Sequence, residues 1–242
     1  MRITPLLFLS VGATAVAQNA SPLATDRPGF SDGSNLVAPR VLQLETGFFR
    51  TQVGSTVTTS VGDGLLRYGV NEKLELRLIG LAYGFTSGAE QWLEPSIGFK
   101  ARLAQTPRGE ITFIGQTTVP VGEGALRSNE WNPTFKIAVT APVGQDTLGG
   151  NIVYSKVGSG AGQFDQSALS LFFSRSVNGT TSWTGEVWVV DRIADGSPGA
   201  GFASVAITHL LDNNRQLDLR LGSGFNQSRD GWFLQGGFSV RF

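Results

Sequence analysis

The chain has 242 residues, of which 16% are charged, with 32 glycines, one methionine, one histidine and no cysteine. That length suits one large all-β domain, and the missing cysteines exclude a disulfide frame and a thiolate-built metal site. Nineteen basic side chains balance nineteen acidic ones without a long run of either sign, which argues against a nucleic-acid partner.

Residues 1–17 read as a secretory signal. Arg2 supplies the positive start, Leu6, Leu7, Phe8, Leu9 and Val11 the apolar middle, and Ala15-Val16-Ala17 the small-residue cleavage site, so the mature protein is expected to begin at Gln18. Beyond this point no run of about eighteen apolar residues occurs. A mature chain that enters a membrane must therefore do so as a closed barrel, because in lipid only helices and closed barrels satisfy every backbone hydrogen bond.

Residues 18–40 lack periodicity and carry Pro22, Pro28 and Pro39 with Gly29 and Gly33, the pattern of an extended segment outside the sheet. Within it lies Thr25-Asp26-Arg27-Pro28-Gly29-Phe30, followed by Leu42-Gln43-Leu44-Glu45-Thr46-Gly47-Phe48. A T-D-R-P opening and then an L-Q-x-E-x-G strand resembles the family of transporter-like outer-membrane proteins named for phenol meta-pathway degradation. The resemblance is specific over residues 25–48 and general in architecture beyond them. It implies an outer-membrane barrel whose cargo is aromatic or otherwise hydrophobic; composition and spacing identify no solute.

Residues 41–242 form the barrel in this reading. From Val41 onward about twelve segments of roughly ten residues alternate in hydrophobicity, the repeat of a transmembrane antiparallel up-and-down β-barrel. In the clearest, Leu74, Leu76 and Leu78 oppose Glu75 and Arg77. Leu93, Ile97, Phe99, Ala101 and Leu103 oppose Glu94, Ser96, Lys100 and Arg102, and Leu217, Leu219 and Leu221 oppose Gln216, Asp218 and Arg220. Short periplasmic turns are expected at 71–73, 104–108, 142–146, 176–180 and 211–214. Longer extracellular loops are expected near 51–57, 83–91, 120–130, 156–165, 191–200 and 225–230. Pro95 and Pro133 interrupt this pattern and are assigned to the outer rim beside Trp92 and Trp131, where a bulge and an aromatic girdle are tolerated. Phe172 and Trp188 fall on polar faces, through either a local slip or an apolar patch inside.

The last segment, Gly231 to Phe242, places Trp232, Leu234, Phe238, Val240 and Phe242 on one face and Gln235, Ser239 and Arg241 on the other. An apolar final strand ending on Phe resembles the C-terminal signature of bacterial outer-membrane barrels, with Phe238, Val240 and Phe242 as the signal read by the barrel assembly machinery.

If the apolar faces meet outer-membrane lipid, the lumen carries Glu45, Asp63, Arg67, Glu75, Arg77, Glu94, Lys100, Arg102, Glu110, Lys136, Glu186, Asp218, Arg220 and Arg241. These charges either pair and fill the interior or line a narrow conduit for a small-molecule solute. Two placements of residues 18–40 stay open: a periplasmic tail, or a partial lumen plug held by Thr25-Asp26-Arg27-Pro28. In the second, Asp26 and Arg27 pair with charges such as Arg241 or Glu45, and Phe30 covers apolar surface. Catalytic chemistry is not expected, since His209 has no serine spaced beside it on its strand and reads as an interfacial histidine near Trp183. Neither a cofactor nor a metal is expected. The expected function is passive transport through an outer-membrane channel. The alternatives are a structural barrel with a closed lumen, a secreted soluble ligand-binding barrel, and a lipid-active barrel enzyme.

Overall fold

A computed structural model describes residues 21–86, 88–121, 128, 130–159, 162–226 and 231–242. The expected signal at 1–17 lies outside the described residues. Among the described residues fifteen antiparallel segments follow one another. They are β1 (Leu42–Val53), β2 (Thr56–Val61), β3 (Leu65–Asn71), β4 (Leu74–Ile79), β5 (Tyr83–Thr86), β6 (Ala89–Trp92), β7 (Ser96–Thr106), β8 (Gly109–Thr118), β9 (Asn132–Val143), β10 (Asp146–Ser159), β11 (Gly162–Ser176), β12 (Thr181–Val190), β13 (Ala200–Asp212), β14 (Arg215–Phe225) and β15 (Gly231–Arg241). The last closes on the first, from Gln43 opposite Arg241 to Val53 opposite Gly231.

Three staves of this barrel are each made of two segments, β2 with β3, β4 with β5, and β6 with β7, so the sheet is a closed barrel of 12 strands. The breaks have local causes. Gly62 and Gly80 adopt positive φ of 90° and 83°, a region that L side chains avoid, and Pro95 has no N–H to give to a ladder. β1 bridges the first break by pairing with β3 through Leu42–Glu45 and with β2 through Phe48–Val53. Pro133 is the second residue of β9, opposite Thr117, and Trp92 and Trp131 are exposed on the outer surface.

The periplasmic turns are tight. Strand ends leave only Glu72-Lys73, Pro107-Arg108, Gly144-Gln145, residues 177–180 and Asn213-Asn214 outside the ladders. Asn71 and Asp212 cap theirs, their side-chain oxygens accepting the N–H of Lys73 and Asn214, both at 2.8 Å. On the opposite rim three expected long loops are instead hairpins. β1 runs to Val53 and β2 resumes at Thr56, β5 and β6 are separated by residues 87–88, and β10 and β11 by residues 160–161. Above the lipid band both faces of a hairpin meet water, so the period-two hydrophobic signal disappears while β-branched composition and pairing continue. The connection 191–199 does lie outside the strands.

The barrel has the inverse polarity of a soluble protein. Leu76, Ile97, Leu217, Leu219 and Leu221 are exposed on the outside, whereas Glu45, Arg67, Glu75 and Lys100 inside are 0% exposed. The pairing of β11 with β12 runs unbroken from Ala168 opposite Val190 to Ser176 opposite Ser182, so Phe172 and Trp188 point inward without a slip. Leu76 lies mid-wall between Tyr68 and Phe99 with half its surface open to lipid. Leu76→Arg should destabilise the folded barrel in bilayers by about 2–4 kcal/mol in denaturant titrations. Arg77→Leu, one residue on and facing inward, should still insert.

Candidate functional site

The lumen is filled by residues 21–41, and the docking begins at β1. Gln43 and Glu45 are inward neighbours on this strand, and the Gln43 amide donates both to the Ala24 carbonyl at 3.0 Å and to Glu45 Oε1 at 2.8 Å. Glu45 thereby faces the segment and accepts the main-chain N–H of Asp26 at 3.1 Å and of Arg27 at 2.9 Å. Two residues further on, Gly47 stands opposite Gly237 of β15. A Cβ on Gly47 would lie 2.6 Å from an Arg27 guanidinium nitrogen, and one on Gly237 would lie 2.5 Å from Arg27 Nε. The paired glycines are a slot for that guanidinium, which reaches Asp218 at 3.4 Å, Asp63 at 3.5 Å and the Gly236 carbonyl at 3.1 Å. The two sequence motifs are halves of one interlock.

A cluster of charge lies on the wall made by β3, β4, β7 and β9. Arg67 forms a two-pronged bond to Glu75, both contacts at 2.8 Å, and a third to Glu45 at 3.0 Å. Arg77 reaches Asp26 at 2.7 Å and Asp32 at 2.9 Å. Lys100 holds both oxygens of Asp26 at 2.8 and 2.9 Å, and Lys136 pairs with the other oxygen of Asp32. Four wall cations thus face two wall carboxylates, and the segment's Asp26 and Asp32 complete the neutralisation. The main chain of the segment is engaged as well, with Val37 donating to Glu75 at 2.9 Å and Asn35 accepting from Arg67 at 2.9 Å.

The other wall holds the segment by shorter polar side chains and an aromatic cluster. Asn151 of β10 makes a reciprocal pair with the Asp32 main chain at 2.8 and 2.9 Å, and Ser170 of β11 accepts from Ser31 at 2.7 Å. Glu186 of β12 accepts the N–H groups of Phe30 at 2.9 Å and Ser31 at 2.7 Å, and is itself clamped by Arg220 at 2.6 Å. Above this pair Trp188 lies parallel to Phe30 at 5.1 Å and to Phe202 at 5.2 Å, and tilts against Phe233 at 5.7 Å. The Arg220 guanidinium sits 4.9 Å from the Trp188 ring and 5.0 Å from that of Phe233. Between the segment and this wall a cavity of about 450 Å³ remains, lined toward the periplasmic turns by the hydroxyls of Thr140, Thr147, Ser174, Ser182, Thr184, Ser204 and Thr208.

The remaining residues expected in the lumen fall in three places. Arg102 pairs with Glu110 and with the Glu72 carbonyl at the periplasmic rim. Glu94 accepts from the N–H and hydroxyl of Ser128 at the opposite end. Arg241 does not pair with Asp26; it binds the carbonyls of Ser21 and Asn213, both at 2.9 Å, because β15 brings it to the rim where the segment enters. Glu45 likewise meets the main chain of Asp26 and Arg27, while the two side chains go on to Lys100 and Arg77 and to Asp218. Phe238 and Val240 alternate outward on β15, and Phe242 is half exposed with its N–H on the Leu42 carbonyl at 2.8 Å. His209 is exposed and its Nδ1 contacts the Thr181 hydroxyl at 2.9 Å. Asp32, Asn151 and Ser170 were not among the expected site residues. Their sequence signal is slight, being no more than polar residues at inward positions of β10 and β11 and a Ser-Asp-Gly-Ser run in the segment.

A closed antiparallel barrel with an apolar exterior and a charged interior is the build of an outer-membrane β-barrel protein. The family model described as "Putative MetA-pathway of phenol degradation" matches residues 25–242, and the chain belongs to that family. Among solved structures it is similar to an outer membrane channel from Pseudomonas putida F1, with a TM-score of 0.66 at 15% identity, covering 89% of this chain and 99% of that one. It is also similar to the NanC porin, at 0.60 and 7% over 81% and 98%, and to the KdgM porin, at 0.57 and 10% over 82% and 99%. At these identities the likeness carries the fold. No curated protein sequence matches the chain.

The balance of charge gives a test. With Asp26→Asn and Asp32→Asn together, the four wall cations face only Glu45 and Glu75. Reversal potentials across a KCl gradient should then shift toward chloride, severalfold in the permeability ratio relative to the parent.

Proposed function

We propose that the protein is a passive channel of the outer membrane of a Gram-negative bacterium, exported through a cleaved signal at residues 1–17, for small aromatic or otherwise hydrophobic solutes. The observation that carries this reading is how the segment is held. Residues 21–41 add no strand to the wall; their backbone-to-backbone bonds to it are few, such as Leu23 to Asn213 at 2.9 Å and Arg40 to Gly69 at 2.7 Å, and the rest involve a side chain of the wall or of the segment. The filling can therefore leave the lumen without opening a ladder, and the barrel does not depend on it for closure. The family's description points to aromatic compounds as cargo. Outer-membrane lipid is the solvent of the apolar exterior.

A secreted soluble barrel is disfavoured by the exposed band of Leu, Ile, Val and Phe around the outside. A lipid-active enzyme is disfavoured because His209 faces only the Thr181 hydroxyl among the described residues. A structural barrel with a closed lumen is the reading that the sealed charges favour. Removing residues 18–38 separates it from a channel. The truncated protein should stay heat-modifiable on SDS gels and conduct more than the full mature chain in planar bilayers. Unchanged conductance of an inserted barrel would support the closed structural reading.

The C-terminal strand is proposed as the recognition element for barrel assembly. Phe242→Asp should lower the amount of assembled protein in cells severalfold while leaving the refolded barrel's stability in detergent within about 1 kcal/mol. Wild-type membrane levels in that variant would remove the assignment.

A further inference from the structure

We propose that the stacked Phe30–Trp188 pair is an aromatic binding site already occupied by the chain itself, and that a small phenolic solute binds there by displacing Phe30. This rests on reading the lumen as a solute path, and it names the class of solute.

The site has the parts that recognition of a phenol needs. The Trp188 ring is 8% exposed and offers a flat face that Phe30 covers at 5.1 Å with planes 6° apart. Phe202 and Phe233 complete an apolar surround, and Arg220 braces the indole from 4.9 Å. Beside the ring, Glu186 accepts two neutral donors from the segment, the N–H groups of Phe30 and Ser31. A phenol carries the same pair of features, a ring to stack and one hydroxyl to donate to Glu186. An aromatic lacking that donor leaves Glu186 with Arg220 as its charged partner and the displaced N–H bonds uncompensated, which is costly. Arg220 stays fixed by Glu186 at 2.6 Å and Ser204 at 2.9 Å, so the surround does not collapse when Phe30 leaves.

Displacement is local. The segment is anchored on either side through Asp26, Arg27 and Asp32, so lifting the turn at 28–31 breaks the Arg220 bond to the Pro28 carbonyl, the two N–H bonds to Glu186 and the Ser31–Ser170 contact while those anchors hold. The exit is adjacent, because Glu186 and Arg220 also border the 450 Å³ cavity that opens below them between the segment and the hydroxyl-lined wall. A ring leaving Trp188 enters that cavity without crossing the charge cluster of Arg67, Arg77 and Lys100.

The test uses the full mature chain in lipid nanodiscs with 4-fluorophenol as probe, read by ¹⁹F NMR, and 4-fluoroanisole as the partner lacking the donor. Phe30→Ala removes the internal competitor from a segment outside the sheet and should tighten 4-fluorophenol binding roughly three- to tenfold, the range of one aromatic stacking contact. Trp188→Leu in the Phe30→Ala background should abolish that gain, and 4-fluoroanisole should bind more weakly than 4-fluorophenol to Phe30→Ala. Equal affinity of the parent and Phe30→Ala would overturn the proposal, as would a gain that survives Trp188→Leu. KCl conductance of the same preparations reads the channel assignment separately. A barrel that conducts but binds 4-fluorophenol equally with and without the Phe30 ring overturns the site and leaves the channel. One that binds as expected and never conducts supports the site and removes the channel.

Discussion

Asp26 is the contact on which the interior depends. Arg67, Arg77 and Lys100 project from three neighbouring staves into a space closed to water, where an unpaired charge costs several kcal/mol. Glu45 and Glu75 neutralise part of that excess, and Asp26, within 2.9 Å of Lys100 and Arg77, supplies much of the remainder. A wall built with surplus positive charge thus has a reason to keep the segment in place.

The two halves of the molecule are held by different physics. The wall is a closed ladder whose backbone bonds have no alternative partner in lipid, so its closure does not rest on backbone bonds to the segment. The segment is held by charge pairs, amide pairs and one stacked ring. The proposed removal of the filling from a rigid barrel rests on that separation. Gly47 and Gly237 show where the two systems meet: the wall gives up two side chains at one register position so that the Arg27 guanidinium can lie against the backbone.

The polarity of the lumen is divided along its length and around its circumference. Charge concentrates on β3, β4, β7 and β9, aromatic surface on β12, β13 and β15, and hydroxyl groups toward the periplasmic turns. Glu186 and Arg220 stand where the aromatic and hydroxyl regions adjoin. The arrangement sets the aromatic surface apart from the strongest fields, which lie on the cation-rich wall of β3, β4, β7 and β9.

The barrel was legible in the sequence because lipid imposes a strict rule. Leu74, Leu76 and Leu78 against Glu75 and Arg77, or Leu217, Leu219 and Leu221 against Asp218 and Arg220, can only be strands with one face in each medium, and short turns such as Asn213-Asn214 follow from the same count. The rule lapses above the membrane, which is why the paired stretches of β1 with β2, β5 with β6 and β10 with β11 read as loops. The lumen's charged residues were likewise legible one by one, since their side of each strand follows from the period of two. Their partners were not. Which carboxylate meets which cation depends on barrel curvature and on the path of a segment without periodicity, so that Asp26 meets Lys100 and Arg77 rather than Arg241, and Asp32 joins Arg77 to Lys136. Trp188 and Phe172 stood out as breaks in alternation. Only closure of the barrel, which brings Trp188, Phe202 and Phe233 around Phe30, decided that the break is an aromatic patch inside the lumen.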